Sequence, residues 1–333
     1  MMDGVAGQRR GEILLLLGSV AVVLLLAEAV VRLLGLAHPR PTGYAPVNAN
    51  RRALREKNTR GYRDLEHALA KPAGTRRLLS MGDSFAWGAG IQLEDAYPQR
   101  LARALTRRRR ETWEVVNLAL PGMGTVDHAV QLADEGFAYQ PDVVLLGYVL
   151  NDCEDAAAAE TRRAADWLEG GGPGPSPLDR SALLRLVHRR IWATRENRRR
   201  ISEYRSLYEE NAPGWIAGRA ALERMGRLCR EHGVPWVVAI FPLFGNPMDQ
   251  SYPFADIHQK VSYAASKAGA RVVDLFPVYR GLRSDLLVVD GADDEHPNEI
   301  AHRIAAGALL RELDTVVPWT RTVPDGPHTE DDR

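Results

Sequence analysis

Short apolar segments alternate with amphipathic segments from about residue 77 to the last helix. Five short runs predict strands, at 77–81, 113–118, 142–148, 235–241 and 271–275. The third run is apolar without interruption, as expected of a strand that is buried on both faces of a sheet. Helices are predicted between and after the strands, at 97–106, 125–139, 256–268 and 297–313. This alternation predicts a doubly wound parallel sheet.

One stretch, at about 153–234, interrupts the alternation and predicts a helical insertion. It contains a loop signal over 170–177, a long basic helix over 181–208 and a second helix over 215–232. The many arginines of the basic helix favour a solvated helix that covers the site. Contact with an anionic membrane surface is the alternative interpretation.

The chain begins with an apolar segment. Residues 13–27 are all apolar or small. A helix of that length spans roughly 22 Å, short of the roughly 30 Å hydrocarbon core of a bilayer. Continuation to residue 36 supplies the missing length and includes Glu28 and Arg32, which can pair at i,i+4. We therefore predict a signal anchor over 1–37, with a single transmembrane helix.

A cleaved signal peptide is the alternative, because Ala27, Glu28 and Ala29 match the small-x-small cleavage pattern. The apolar stretch resumes after these residues, which favours the anchor. Arg9 and Arg10 favour a cytoplasmic N-terminus, whereas the arginines that follow the segment favour the reverse. We predict an extracytoplasmic catalytic domain, since the short charged start resembles that of a signal peptide.

Composition and charge limit the partners and divide the rest of the chain. The formal net charge is +0, so no global field favours a nucleic-acid partner. Two cysteines, Cys153 and Cys229, exclude a disulfide framework and leave open one bridge or two buried thiols. Polar and proline-rich sequence predicts a linker over 38–75. The catalytic domain is then expected over 76–316, with a disordered tail over 317–333.

Polar residues stand directly after predicted strands, or just before the last helix, at four places. Sites in doubly wound sheets lie at the carboxyl ends of the strands, so these residues are the candidates for chemistry. The four groups are Gly82-Asp83-Ser84-Phe85, Asn117 with Gly122 and Gly124, Asn151-Asp152, and Asp293-Asp294-Glu295-His296-Pro297.

The four groups together supply what acyl transfer from an ester requires. Ser84 is the candidate nucleophile and His296 the candidate base. Asp293 lies three residues before the histidine, so one turn of backbone can bring its carboxylate to the Nδ1 atom. Three N–H donors can face the developing oxyanion, namely the backbone of Ser84, the backbone of Gly122 and the amide of Asn151.

These motifs, in this order, resemble the SGNH (GDSL) hydrolase family, which is named after its site residues Ser, Gly, Asn and His. Matched by motif, these residues fall on Ser84, Gly122, Asn151 and His296. The resemblance covers about 77–313, apart from the insertion. It implies a flavodoxin-like, three-layer α/β/α fold of the SGNH-hydrolase type and an esterase with a catalytic triad, and it brings no metal or cofactor.

The third motif departs from the family pattern Gly-x-Asn-Asp. Here it reads Val149-Leu150-Asn151-Asp152, and the nearest glycine is Gly147, two positions early. This departure leaves the local backbone shape open. It does not remove the role that the resemblance implies for Asn151.

Several neighbouring residues keep two interpretations. Gly124 is an alternative to Gly122 as the oxyanion donor, although Gly122 fits the spacing better. Asp83 and Asp152 are predicted to support the local backbone near the site. Three aromatic residues either line a substrate pocket or belong to the core, namely Trp87, Tyr148 and Phe244.

Two other hydrolase classes fit the sequence less well. The α/β-hydrolase elbow G-x-S-x-G is absent around Ser84. A metal hydrolase could use the acidic residues and His296, but no H-E-x-x-H or similarly spaced ligand set occurs.

We therefore predict a membrane-anchored serine esterase that hydrolyses an O-acyl ester of a glycan or a lipid through an acyl-enzyme on Ser84. One alternative is an O-acyltransferase that passes the same acyl group to a cell-envelope glycan. Another is a non-catalytic envelope protein that keeps the fold for binding.

Overall fold

The computed structural model describes residues 2–37, 57–154, 180–289 and 295–316. The chain divides into two compact units. One unit comprises Met1–Tyr44 and Asp155–Glu209, and the other comprises Ala45–Glu154 and Glu210–Arg333. The predicted tail over 317–333 lies outside the described residues, as do residues 38–56 of the predicted linker.

Helices and strands alternate along most of the chain. The strands are β1 (Thr75–Gly82), β2 (Thr112–Asn117), β3 (Val143–Tyr148), β4 (Trp236–Ile240) and β5 (Arg271–Asp274). The helices are α1 (Met2–Leu33), α2 (Ser84–Trp87), α3 (Tyr97–Arg109), α4 (Thr125–Asp134), α5 (Ala182–Leu207), α6 (Pro213–Glu231), α7 (Ala255–Lys267), α8 (Phe276–Tyr279) and α9 (Glu299–Val316).

The five strands form one parallel sheet in the order β2-β1-β3-β4-β5. Helices α3 and α9 pack against each other on one face, and α4, α6 and α7 pack side by side on the other. This is the flavodoxin-like strand order. The predicted doubly wound parallel sheet is therefore confirmed.

The order of the strands reverses between β1 and β3, which lie side by side. Their register pairs Gly82 with Gly147, so the two strands end at the same level. Every residue of β3 is buried, in line with its uninterrupted apolar sequence. The crevice at a reversal of this kind is where doubly wound sheets bind their ligands.

The two helices of the predicted insertion over 153–234 belong to different units. Helix α5 belongs with α1, whereas α6 is a layer of the sheet unit. Helix α6 connects β3 to β4 and approaches its neighbours through glycines. A Cβ atom on Gly214 would lie 1.9 Å from the carbonyl oxygen of Cys153, and one on Gly226 would lie 2.0 Å from that of Ala268.

Part of the predicted linker is buried in the sheet unit. Arg63 is 2% exposed, and its guanidinium donates hydrogen bonds to the carbonyl oxygens of Trp87, the last residue of α2, and of Gly88 and Ile91 just after it. Asp64 is also buried, and its Oδ2 accepts the backbone N–H of Asn117 at 2.7 Å. Polar contacts, and not an apolar face, attach this segment to the sheet unit, so its sequence shows no apolar periodicity. The sequence pattern therefore had nothing to detect.

Two further predictions concern the cysteines and the N-terminal helix. Cys153 and Cys229 are both buried and are not joined in a disulfide, so the interpretation without a bridge holds for the described residues. Helix α1 contains a stretch, Gly11–Leu33, of 23 residues with a mean hydropathy of 2.7. By length and composition it can cross a membrane or serve as a signal sequence.

We expect Gly226→Ala to destabilise the sheet unit by about 1–3 kcal/mol, because the added methyl group has no space against Ala268. Gly307→Ala is the matched control. Gly307 also lies within a helix, but a Cβ atom there meets nothing within 4 Å. Losing glycine's backbone freedom should stabilise α9 by about 0.5–1 kcal/mol. Urea unfolding of the two variants and the parent chain measures both changes, and equal stability would contradict the close packing of α6.

Candidate active site

Ser84 lies at the start of α2, directly beyond the carboxyl end of β1. Gly82, the last residue of β1, has φ +149°, and a Cβ atom there would lie 2.8 Å from both the Gly147 oxygen and the Ala86 side chain. Only glycine allows this approach of the two strand ends. The tight turn that follows leaves Ser84 partly exposed, while its neighbours Asp83 and Phe85 are buried.

His296 reaches Ser84 from the segment before α9. Its Nε2 atom lies 3.0 Å from the Ser84 Oγ atom, across 212 residues of sequence. The Ser84 hydroxyl also lies 3.4 Å from Asp83 Oδ2. A hydroxyl has one proton, and the shorter distance favours donation to the histidine. The serine is thus placed for deprotonation by an imidazole.

Asn298 holds the segment that carries His296. It is fully buried, and its side-chain amide donates to the carbonyl oxygens of Leu286 and Val288 at 2.9 and 3.2 Å. Its Oδ1 accepts the backbone N–H groups of Ile300 and Ala301, which caps the start of α9. One side chain therefore fixes both ends of the short segment around His296.

Asp83 collects hydrogen bonds from both strand ends. Its Oδ1 accepts the backbone N–H of Phe85 at 2.9 Å, and its Oδ2 accepts the side-chain amide of Asn151 at 3.2 Å. Asn151 lies in a short 3-10 turn, Leu150–Cys153, just after β3. An amide has two hydrogens, so one remains to face a substrate. The carboxylate therefore orients the amide that the sequence nominates as an oxyanion donor.

Two buried carboxyl groups lie close together at this point. Burial raises the pKa of Asp83, against the hydrogen bonds from Phe85 and Asn151 that lower it. Burial and the charge of Asp83 raise the pKa of Asp152 well above its ordinary value. Asp83 thus accepts hydrogen bonds that favour a charged carboxyl group, and Asp152 beside it has the more strongly raised pKa.

Gly122 and Gly124 differ in whether their backbone N–H already donates a hydrogen bond. The N–H of Gly124 donates to Asp127 Oδ2 at 3.0 Å. The N–H of Gly122 has no acceptor in the part of the chain that the structure describes. Gly122 is also exposed and has φ +80°, in the left-handed region that favours glycine. The structure therefore favours Gly122 as the donor.

The third motif departs from the pattern Gly-x-Asn-Asp, but its backbone at Val149 is an ordinary extended conformation. Val149 has φ −121° and ψ 156°, which any residue adopts, so no glycine is needed there. Gly147 serves a different purpose, because a Cβ atom on it would lie 2.2 Å from the Tyr97 hydroxyl.

Asp293 lies outside the described residues, and its contact with His296 stays a prediction.

Two of the aromatic candidates are core residues. Tyr148 and Phe244 are 0% exposed, whereas Trp87 is partly exposed beside the Arg63 guanidinium, 4.9 Å from its ring centre.

Sequence reasoning missed the supporting residues Arg63 and Asn298, and it named Asn117 without a role. Asn117 donates from its side chain to the Ala86 carbonyl oxygen at 2.9 Å and so ties the end of β2 to α2. The position of Asn298, two residues after the candidate base, was a usable signal. Nothing in the sequence around Arg63 indicated that it is buried.

The model of the GDSL-like lipase/acylhydrolase family matches residues 80–304, more than half of the chain. The chain belongs to this family. The resemblance to SGNH hydrolases is therefore confirmed, and so is the prediction of an enzyme that hydrolyses ester bonds.

Solved structures of several esterases and acylhydrolases are similar to this chain. The acetylxylan esterase Axe2 from Geobacillus stearothermophilus is 19% identical, with 74% of this chain and 97% of that chain covered and a TM-score of 0.45. A lipase/acylhydrolase from Enterococcus faecalis is 14% identical, covering 72% and 96%, with a TM-score of 0.44. A two-domain esterase active on acetylated mannans is 12% identical, covering 77% and 54%, with a TM-score of 0.43. The search of curated proteins found no match.

We expect Asp83→Asn to lower kcat for ester hydrolysis by about 10²–10³-fold, because the new amide has one oxygen and cannot accept from both Phe85 and Asn151. Asp249→Asn is the matched control. Asp249 also accepts the backbone N–H of the residue two positions later, but in an exposed turn. Steady-state kinetics with p-nitrophenyl acetate should leave that variant unchanged. An unchanged kcat for Asp83→Asn would contradict the orienting role of the carboxylate.

Proposed function

We propose that this SGNH hydrolase cleaves an O-acyl ester through an acyl-enzyme on Ser84, with His296 as the general base. The 3.0 Å distance between His296 Nε2 and Ser84 Oγ carries the proposal. A histidine at that distance takes the serine proton as the oxygen attacks the ester carbonyl carbon. The leaving alcohol then receives the proton from the imidazolium. Water, activated by the same histidine, releases the acid and restores Ser84.

Three N–H donors stabilise the oxyanion that forms in both steps. They are the backbone N–H of Ser84 at the start of α2, the unoccupied backbone N–H of Gly122, and the free hydrogen of the Asn151 amide. Donors that are fixed before the reaction cost no reorganisation during it, and each is worth about 10²–10³ in kcat. Asp83 contributes by fixing the amide of Asn151.

Asp293 completes the triad in this proposal. It would accept a hydrogen bond from His296 Nδ1, set the tautomer that leaves Nε2 free to take a proton, and stabilise the imidazolium. Its place three residues before the histidine supports this role.

The substrate class that we propose is an O-acylated glycan or a lipid ester at a cell envelope. We further propose that α1 is a single-pass signal anchor and that the catalytic domain lies outside the cytoplasm. The span Gly11–Leu33 supports this, since its 23 residues, at 1.5 Å per residue, exceed the roughly 30 Å of a hydrocarbon core.

A fluorophosphonate probe should label Ser84 and no other residue, and Ser84→Ala should lower kcat/KM for p-nitrophenyl acetate by roughly 10⁴–10⁶-fold. Mass spectrometry of the labelled peptide maps the site. Ser80→Ala is the control, because Ser80 lies four residues earlier in β1 and is fully buried, and this variant should keep both labelling and turnover.

The same assay tests the predicted acid. Asp293→Asn should lower kcat by roughly 10⁴-fold, as loss of the orienting carboxylate does in a serine triad. The neighbouring variant Asp294→Asn should stay within a few-fold of the parent chain. Equal activity of the two variants would remove Asp293 from the mechanism.

Topology has its own test. Alkaline phosphatase fused after Val317 should be active in a bacterial host, because that enzyme matures only outside the cytoplasm. A cytoplasmic green fluorescent reporter at the same position should stay dark. The opposite pattern would reverse the proposed orientation and leave the esterase mechanism untouched.

A further inference from the structure

The first turn of α5 is capped by a carboxylate from the apolar helix α1. Glu28 accepts hydrogen bonds from the Ser181 hydroxyl at 2.7 Å and from the backbone N–H groups of Ala182 and Leu183 at 2.9 and 2.7 Å. The first N–H groups of a helix have no partner within it and carry partial positive charge. The charge of Glu28, which is costly in an apolar segment, is therefore stabilised by the start of α5.

Further contacts align the two helices. Arg32 pairs with Glu28 and donates to the Arg180 carbonyl oxygen at 3.1 Å. Arg189 donates to the Ala37 carbonyl oxygen, also at 3.1 Å. Val31, Ala37 and Ala182 form a buried apolar cluster between these polar contacts. Positions 28 to 37 thus lie beside positions 182 to 189, and the two segments run in the same direction.

This alignment sets the depth of α5 relative to the anchor. Glu28 lies five residues before the end of the apolar span at Leu33, or about 8 Å along the helix axis. If α1 spans a bilayer, α5 begins within the region where acyl chains give way to headgroups. Its next turns then rise through the headgroup layer.

One exposed face of α5 matches that depth in its chemistry. Leu184, Val187 and Ile191 are 44%, 45% and 47% exposed and share a face, at spacings of three and four residues. The same face continues with Arg195 and Arg198, which are exposed and make no ion pair with any described residue. We call these five residues the 184–198 face.

We infer that the 184–198 face lies against an anionic lipid bilayer. Leu184, Val187 and Ile191 enter the boundary of the acyl chains, and Arg195 and Arg198 bind lipid phosphates one to two turns further out. The inference rests on the anchor that we propose for α1. It adds a second, lipid-selective contact to that anchor.

Charge favours a lipid surface over an apolar protein groove. An apolar groove that buried the whole face would also desolvate the two arginines without giving them partners, at high energetic cost. An anionic bilayer satisfies both halves, since each arginine near such a surface gains about 1 kcal/mol. The order along the helix, apolar residues first and arginines after, also follows the order of layers in a membrane.

Site-specific fluorescence on the full chain in nanodiscs tests the inference. Leu184→Cys and Val187→Cys variants carry an environment-sensitive label, and the lipids carry a nitroxide near the headgroup. We expect blue-shifted emission and strong quenching at both positions. The control is Ala193→Cys, which is exposed on the opposite side of α5 and should be neither shifted nor quenched. The unsubstituted chain, whose two thiols are buried, gives the background.

Lipid charge is tested with the label at position 184. Quenching should be stronger in mixed phosphatidylcholine–phosphatidylglycerol discs than in phosphatidylcholine alone. Changing Arg195 and Arg198 to Gln should weaken the contact by about fivefold per arginine, as expected for one surface charge each. Changing the same two residues to Lys keeps the charge and should restore the preference.

The outcomes distinguish failure of the anchor from failure of the lipid contact. A label at Leu17→Cys, within the apolar span of α1, reports whether α1 spans the bilayer when the nitroxide is attached to the acyl chain; if it is not quenched, the anchor and this inference both fail. Quenching at position 17 without quenching at 184 and 187 overturns this inference alone. Labels that are shielded from water but not reached by lipid nitroxide indicate a protein partner and also overturn it. Esterase activity, measured on the same discs, reports independently on Ser84.

Discussion

The buried carboxylate of Asp83 joins the ends of two neighbouring strands, and the candidate site depends on it. It accepts the backbone N–H of Phe85 just after β1 and the side-chain amide of Asn151 just after β3. A buried charge is stable only when hydrogen bonds replace its water, and here those bonds come from the groups that must stay fixed. Asp152 beside it is also buried, and its burial and the charge of Asp83 raise its pKa. Electrostatics thus sets the geometry around Ser84.

Close backbone approach is the second constraint. The ends of β1 and β3 come together because Gly82 and Gly147 have no side chains to separate them. This closeness brings the turn at Ser84 within reach of Asn151. The histidine arrives by a different route, on a segment that Asn298 ties to the backbone on both sides. The site therefore rests on polar contacts that fix backbone, more than on the apolar core beneath it.

The first unit follows the same rule of pairing polar groups in an apolar setting. Glu28 interrupts the apolar helix α1, and its carboxylate satisfies the open N–H groups at the start of α5. The contact satisfies both helices: α1 has a carboxylate within an apolar segment, and α5 has N–H donors without acceptors in its own first turn. Through this contact the basic helix belongs structurally with the proposed anchor, which its composition alone did not indicate.

Periodicity and motif order determined the sheet class, the family and the candidate residues Ser84, Gly122, Asn151 and His296, because each is a local property of the chain. Which groups meet was decided by the tertiary structure, since contacts such as His296 with Ser84 span 212 residues. Folding also showed which glycine keeps a free N–H, and that Arg63 is buried within a segment read as a linker. Burial and hydrogen-bond partners follow from packing between distant segments, and no local pattern of residues encodes them.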